Sequence, residues 1–118
     1  MIKKIEQSIE TYFTSTSDLD KRSFLSIFAE DAVVIDEGQE YKGLIKITEW
    51  SEQYHFAFKL KLEIINIMEE SPQTIVTVKV DGDFDKVGLP DPLLLDFYFT
   101  VVNRKVTRLE ILFPSSKQ

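Results

Sequence analysis

One carboxylate stands out by its position in the sequence. Asp36 is the last residue of Ala32–Asp36, a short apolar run rich in β-branched residues that predicts a buried strand. Because an apolar environment disfavours the ionised form, the pKa of such a carboxyl group rises toward the range that suits a general base. The pattern therefore predicts a proton acceptor at the mouth of an apolar pocket. The alternative is a solvated strand end, at which Asp36 accepts hydrogen bonds from backbone N–H groups of the turn at Glu37 and Gly38.

The single histidine, His55, is the other side chain with acid–base chemistry near neutral pH. It follows Tyr54 at the end of a predicted helix. At the rim of a pocket it could serve as an acid or a base, whereas at a helix C-terminus a protonated imidazole is favoured without any function. With one His and no Cys in the chain, no spacing supports a metal site, and we predict none.

Apolar residues at helical spacing predict three helices in the first half of the chain. The first covers residues 2–15, and the polar run at 14–18 ends it, so that Ser17 or Asp18 caps the second helix. The second helix ends at Glu30–Asp31, and the third begins at Gly43. The apolar faces of the three helices consist of Ile2, Ile5, Ile9, Tyr12 and Phe13, then Phe24, Ile27 and Phe28, then Leu44, Ile47, Trp50 and Tyr54.

After Phe58 the apolar period changes from helical to two, which predicts strands. Four antiparallel strands are expected around residues 60–64, 76–80, 93–102 and 105–113, with a loop at 81–92 and a tight turn at Asn103–Arg104. Ala32–Asp36 is the one earlier strand, and residues 37–40 form a turn. We therefore predict a single α+β domain over residues 1–118, in which three N-terminal helices pack on a curved, mainly antiparallel sheet.

Composition excludes several classes of function. The formal net charge is −6 and the basic residues are dispersed, so neither nucleic acid nor an anionic membrane is an expected partner. No apolar run approaches the ~20 residues of a membrane span. The N-terminal segment alternates Lys and Glu with its apolar residues, unlike a signal peptide, so a cytoplasmic protein is expected.

The order of these features resembles the SnoaL-like branch of the nuclear transport factor 2-like superfamily. The resemblance covers nearly the whole chain and depends on order and spacing more than on any single motif. It implies a cone-like α+β barrel, with a hydrophobic pocket between the helices and the concave face of the sheet. The residues that carry it are Tyr12, Asp18, Phe28–Ala32, Asp36–Gly38, Tyr41, Gly43, Ile47, Trp50, Phe99–Thr100 and Arg108–Ile111.

This family includes ketosteroid isomerase, and the comparison implies roles for two residues. Asp36 matches the proton-abstracting Asp of that enzyme, and Tyr12 matches the Tyr that donates a hydrogen bond to the developing oxyanion. The implied activity is that of a cofactor-free isomerase, cyclase or hydratase acting on a carbonyl compound. For Tyr12 the plainer interpretation is a core aromatic. The nearest candidate for the third residue, a protonated Asp, is Asp96. Its alternation with Leu95 and Phe97 sends Asp96 to the outer face unless a bulge or register change inverts the strand.

Two hypotheses other than an enzyme stay open. One is a non-catalytic module that binds a small hydrophobic ligand, and the other is an interaction protein. The resemblance implies a homodimer formed through the sheet, whose outer face would consist of Lys61, Thr77, Lys79, Tyr98, Thr100, Arg108 and Glu110. The residues predicted to line the ligand pocket are Phe24, Phe28, Val34, Trp50, Tyr54, His55 and Ile111.

Overall fold

The computed structural model describes residues 5–114, so Ile2 of the predicted first helix lies outside the described residues. The helices are α1 (Gln7–Ser17), α2 (Lys21–Ser26) and α3 (Leu44–Ser51), and α3 continues into a π-helical turn at Glu52–Phe56. The strands are β1 (Phe28–Asp36), β2 (Gln39–Lys42), β3 (Lys61–Glu70), β4 (Gln73–Asp81), β5 (Leu94–Val102) and β6 (Lys105–Leu112).

The six strands form one sheet in the order β2-β1-β6-β5-β4-β3. All neighbours are antiparallel except β1 and β6, which are parallel, so the sheet is mixed although mainly antiparallel. The helices pack on its concave face, and the α+β prediction is confirmed. The sheet is open, with β2 and β3 at its two edges in the described part of the chain, so it does not close into a barrel.

The second helix is shorter than predicted, because Phe28 and the residues after it belong to β1. The Ile27 carbonyl already accepts a hydrogen bond from the Val106 N–H of β6 at 2.8 Å. The register of β1 shifts between Phe28 and Val33, and Phe28 and Ala32, which are four residues apart, are both buried. A spacing of four fits one face of a helix as well as one face of a strand, so the sequence alone does not distinguish them. The prediction that the second helix ends at Glu30–Asp31 is therefore wrong.

Two further boundaries differ from the predictions. The polar run does not break α1 at Thr14, because the Thr16 hydroxyl bonds the Tyr12 carbonyl at 2.7 Å and the helix continues to Ser17. Asp20 caps α2 instead of Ser17 or Asp18, since its carboxylate accepts from the Ser23 N–H at 3.1 Å.

The predicted turn at 37–40 is shorter than expected. It uses two residues, Glu37 and Gly38, both at positive φ (53° and 75°), as the twist of a two-residue hairpin requires. Strand β2, which the sequence did not reveal, follows directly and brings Tyr41 opposite Val34.

The core forms where the apolar faces of the helices meet the concave face of the sheet. Val76 and Val78 of β4 and Phe97 and Phe99 of β5 point inward and are almost fully buried, as their alternation predicted. Tyr12 of α1 meets Phe97 and Phe99 edge-on, with ring centroids 5.8 and 5.3 Å away. Such aromatic pairs add to the stabilisation from area burial. Among residues 5–114 no helix has the length and apolar character needed to cross a membrane.

Candidate functional site

A cavity of about 1020 Å³ lies between the helices and the concave face of the sheet. Six of the predicted site residues lie in its wall: Tyr12, Asp36, Trp50, Tyr54, His55 and Ile111. Three predicted lining residues, Phe24, Phe28 and Val34, do not. All three are buried in the core behind the wall. The rings of Phe24 and Phe28 pack on each other, with centroids 5.6 Å apart, and Val34 lies on β1 opposite Tyr41.

Much of the remaining wall is apolar and comes from segments that sequence reasoning did not assign to the pocket. Alternation along β3 and β5 already indicated that some of these residues point inward. It did not indicate that they would line a cavity instead of packing in the core. The apolar residues missed are Tyr41, Phe58, Leu60, Leu62, Val80, Phe84, Val87, Leu89, Leu93, Leu95, Phe97, Leu112 and Phe113.

Asp36 ends β1 at the cavity wall. It pairs with Gln39 across the hairpin and with Ile111 of β6, and its side chain is half-buried. The Trp50 indole N–H donates to Asp36 Oδ2 at 2.9 Å. Burial raises the pKa of the carboxyl group, the Trp50 hydrogen bond works against this, and the negative charge of Glu37 adds to it. Asp36 thus has the environment of a strengthened base.

Tyr12 has a buried hydroxyl with no hydrogen-bond partner in the described part of the chain. The residue is 0% exposed, and no group among the described residues forms a hydrogen bond with the phenol oxygen. Burial raises the pKa of the phenol well above its ordinary value, and the charge of Asp36 raises it further. An unsatisfied buried hydroxyl costs about 1–3 kcal/mol. A partner that enters the cavity would recover part of that free energy.

The π-helical turn reverses the expected placement of two residues: His55 faces inward, and Tyr54 lies at the cavity mouth. A π turn holds more residues than an α turn, so His55, five residues after Trp50, faces inward beside it with ring centroids 5.6 Å apart. His55 is 2% exposed, whereas Tyr54 is 47% exposed at the cavity mouth. The predicted common face of Trp50 and Tyr54 is therefore wrong.

His55 is neutral, and its tautomer follows from its contacts. Its Nε2 lies 2.8 Å from the Thr16 hydroxyl, which also lies 2.7 Å from the Tyr12 carbonyl. Both contacts are hydrogen bonds only if Thr16 donates to the carbonyl and Nε2 donates to Thr16, which leaves Nδ1 as an acceptor. Burial lowers the pKa of His55 to about 3. The effect of burial on this pKa is therefore larger than the stabilisation of a protonated imidazole by a helix C-terminus, and His55 stays neutral near neutral pH.

Asp96 lies on the outer face of the sheet, away from the cavity. The Thr77 hydroxyl, its cross-strand neighbour, donates to Asp96 Oδ1 at 2.6 Å. The register shift in β5 falls after Thr100, too late in the strand to invert Asp96. Of the three isomerase-like positions, Tyr12 and Asp36 line the cavity and Asp96 does not. Within residues 5–114 no group of three or more His, Asp or Glu residues could hold a metal ion.

The fold is shared with several solved structures. No protein-family model and no curated protein matches the sequence. A candidate polyketide cyclase from Sinorhizobium meliloti is 29% identical, with a TM-score of 0.81 over 91% of this chain and 94% of that one. A candidate ketosteroid isomerase from Kribbella flavida is 16% identical, with a TM-score of 0.75 over 96% of this chain and 79% of that one. A Mycobacterium tuberculosis protein in complex with estradiol-17β-hemisuccinate is 14% identical, with a TM-score of 0.75 over 91% of each chain.

Proposed function

The chain belongs to the SnoaL-like branch of the nuclear transport factor 2-like superfamily, and on that premise we propose that its cavity binds a small, largely apolar molecule. The observation that carries the proposal is a cavity wall that holds both the half-buried Asp36 carboxylate and Tyr12, whose buried hydroxyl has no partner among the described residues. A folded protein rarely leaves a buried hydroxyl without a partner. A ligand that supplies an acceptor to Tyr12 would remove that penalty.

The composition and size of the cavity support a hydrophobic ligand. A volume of about 1020 Å³ is at the upper end of the range for small-molecule sites, and such sites combine apolar walls with a few placed polar groups. Here Asp36 and Tyr12 are those polar groups. The related Mycobacterium tuberculosis structure holds a steroid ester, which is consistent with this class of ligand.

In the catalytic version of the proposal, the protein is a cofactor-free isomerase, cyclase or hydratase that acts on a carbonyl compound. Asp36 removes a proton beside the carbonyl group, and the Tyr12 hydroxyl donates to the oxygen on which negative charge develops. Burial supports the first role because it raises the pKa of the Asp36 carboxyl.

A non-catalytic binding protein is the second candidate, and the position of Asp96 favours it. Because Asp96 is bonded to Thr77 on the outer face, it supplies no second donor to an oxyanion. His55 does not replace it, because the single N–H of its neutral ring donates to the Thr16 hydroxyl. Oxyanion stabilisation would then depend on Tyr12 alone. The loss of one donor typically lowers kcat by about 10²–10³.

Trp50 provides a direct test, because it is the only tryptophan in the chain and lines the cavity. We expect steroid-sized ketones to change its fluorescence saturably, and Tyr12→Phe to weaken their binding. Asp96→Asn is the matched control, because that carboxylate lies outside the cavity. Native mass spectrometry of protein from its source host would identify a co-purified ligand. Absence of saturable binding by any apolar probe, with no co-purified molecule, would refute the proposal.

Turnover of a bound ketone separates the two versions. If the protein is an enzyme, Asp36→Asn abolishes exchange of the protons beside the carbonyl group while binding persists. Exchange that is equal in the wild type and in Asp36→Asn would eliminate the role of Asp36 as a base.

We also propose a homodimer through the outer face of the sheet, and a cytoplasmic location. On that face Ile75 and Tyr98 lie opposite each other in β4 and β5, beside the Arg108–Glu110 ion pair at 3.3 Å. An apolar pair surrounded by polar residues suits a wet interface. Sedimentation at micromolar concentration should give the dimer mass for the wild type and a lower mass for Tyr98→Asp. A wild-type monomer would contradict the proposal.

A further inference from the structure

We infer that the cavity selects a protonated amine with an apolar body, and that the ammonium group of this ligand pairs with Asp36. The inference depends on the proposed binding site and adds the charge class of its ligand. It rests on three features of the wall, which are its charges, the free oxygen of Asp36 and the tyrosines at the mouth.

The charged residues of the cavity wall all have the same sign. Asp36, Glu37 and Asp85 line it, and within the described chain no Lys or Arg side chain does. Lys86, the lysine of the 82–93 loop, does not line the cavity. Its Nζ donates to the Gly82 carbonyl at 2.7 Å, lies 3.3 Å from Asp81 and lies 5.0 Å from the centre of the Phe84 ring. The part of the wall that residues 5–114 form therefore offers no cation to a carboxylate or phosphate ligand. Such a ligand would lose its hydration beside like charges, which opposes its binding.

Asp36 has no counter-ion among the residues that the structure describes. Trp50 fixes Oδ2 through the 2.9 Å hydrogen bond, while Oδ1 has no hydrogen-bond donor and neither oxygen has a cation partner among residues 5–114. A partly desolvated carboxylate stabilises an opposite charge more strongly than an exposed one does, because the local dielectric is lower. An ammonium group can donate to Oδ1 without disturbing the Trp50 bond.

Two tyrosines at the mouth add an aromatic surface that suits a cation. Tyr41 lies beside Trp50, with ring centroids 6.3 Å apart, and Tyr54 is 47% exposed at the same rim. Their ring faces carry the negative part of the aromatic quadrupole and attract ammonium groups. Trp50 is 2% exposed, so it contributes its N–H to Asp36 rather than an open ring face.

The unpartnered Tyr12 hydroxyl independently indicates that the cavity takes a ligand. It lies in the same wall and is fully buried. Leu60, Leu62 and Leu95 form an apolar part of this wall, which accommodates the body of the ligand. A bound ammonium would occupy the carboxylate that base catalysis requires. In this arrangement Asp36 serves as a counter-ion.

Three probes that share one apolar body and differ only in charge test the inference. They are 4-phenylbenzylamine, 4-phenylbenzyl alcohol and 4-phenylbenzoate, titrated into the protein by calorimetry at pH 7. We expect the amine to bind at least about tenfold more tightly than the alcohol, which corresponds to one modest charge pair in a partly buried site. We expect no measurable binding of the benzoate.

Asp36→Asn should remove the advantage of the amine and leave the affinity for the alcohol nearly unchanged. Asp96→Asn, which removes a carboxylate on the outer face, should change neither. If Asp36→Asn does not fold, as judged by near-ultraviolet circular dichroism, the relative affinities of the wild type for the three probes still test the inference.

The outcomes distinguish the inference from the proposed function. Equal affinity for amine and alcohol, or binding of the benzoate, would overturn the charge selectivity and leave the hydrophobic site intact. Failure of all three probes to bind would overturn the inference and count against the proposed binding function as well.

Discussion

Acid should destabilise this protein through His55 between about pH 6.5 and pH 5. The imidazole is 2% exposed, and burial lowers its pKa from 6.5 to about 3. The unfolded chain therefore binds a proton more readily than the folded protein does. The contribution of His55 to the free energy of unfolding is fully present above pH 6.5 and decreases as the pH falls below that value.

The size of the effect follows from the two pKa values. Each pH unit below the unfolded pKa costs about 1.4 kcal/mol while the folded imidazole stays neutral. The interval from pH 6.5 to pH 5 therefore costs about 2 kcal/mol. This figure holds for any folded-state pKa below ~4, because the folded imidazole is then unprotonated at pH 5. The loss is a large share of the ~5–15 kcal/mol that stabilises a typical domain.

Urea denaturation at pH 7.5 and at pH 5 measures this loss, with His55→Gln as the matched variant. Glutamine can still donate to the Thr16 hydroxyl but does not titrate, so the contributions of all other groups cancel in the comparison. We expect the wild type to lose about 2 kcal/mol more than the variant between the two pH values. Equal losses, or an NMR titration of His55 with a pKa near 6.5, would refute the argument.

Three other substitutions test separate parts of the structure. Tyr12→Phe removes a hydroxyl that has no partner among the described residues, so the free energy of unfolding of the ligand-free protein, measured by urea denaturation, should stay equal or rise by about 1 kcal/mol; a clear loss of stability would reveal a partner for that hydroxyl. Trp50→Phe removes the hydrogen bond that lowers the pKa of Asp36, so carboxyl-carbon NMR should find that pKa raised, and an unchanged pKa would contradict the role of the bond. Gly82→Ala places a Cβ 2.8 Å from the Phe58 carbonyl oxygen and should cost more than the ~1 kcal/mol strain of Gly88→Ala, whose Cβ meets nothing within 4 Å; equal unfolding midpoints would show that the backbone at Gly82 yields.

Patterns that depend on local periodicity were predictable. The strict alternation of β4 and β5 placed Val76, Val78, Phe97 and Phe99 inside, and the same alternation sent Asp96 outside, because successive side chains of a strand point to opposite faces. The tight turn between β5 and β6 also falls at Asn103–Arg104, and both residues adopt positive φ (52° and 66°). Two-residue hairpin turns require such angles, which Asn tolerates.

Features that depend on distant partners were not predictable. Phe28 reads as helical by its spacing from Phe24 and Ile27, and becomes part of a strand because β6 pairs with that segment. The π-helical turn moves His55 inward and Tyr54 outward, which no α-helical period anticipates. Phe24 and Val34, which were predicted to line the pocket, lie in the core for the same reason, since they differ from residues of the cavity wall only in what packs against them.

The sequence by itself determined the α+β class, the inward face of the late strands and the candidacy of Asp36, because local periodicity and residue chemistry carry that information. Tyr12 became a candidate through the resemblance to ketosteroid isomerase. The tertiary structure decided which polar atoms have partners. It joins Asp36 to Trp50 and His55 to Thr16, residues 14 and 39 positions apart in the chain, and it leaves the Tyr12 hydroxyl with none among the described residues. Hydrogen-bond satisfaction and burial are properties of the packed chain, so the state of each candidate site residue emerges only when the helices close over the sheet.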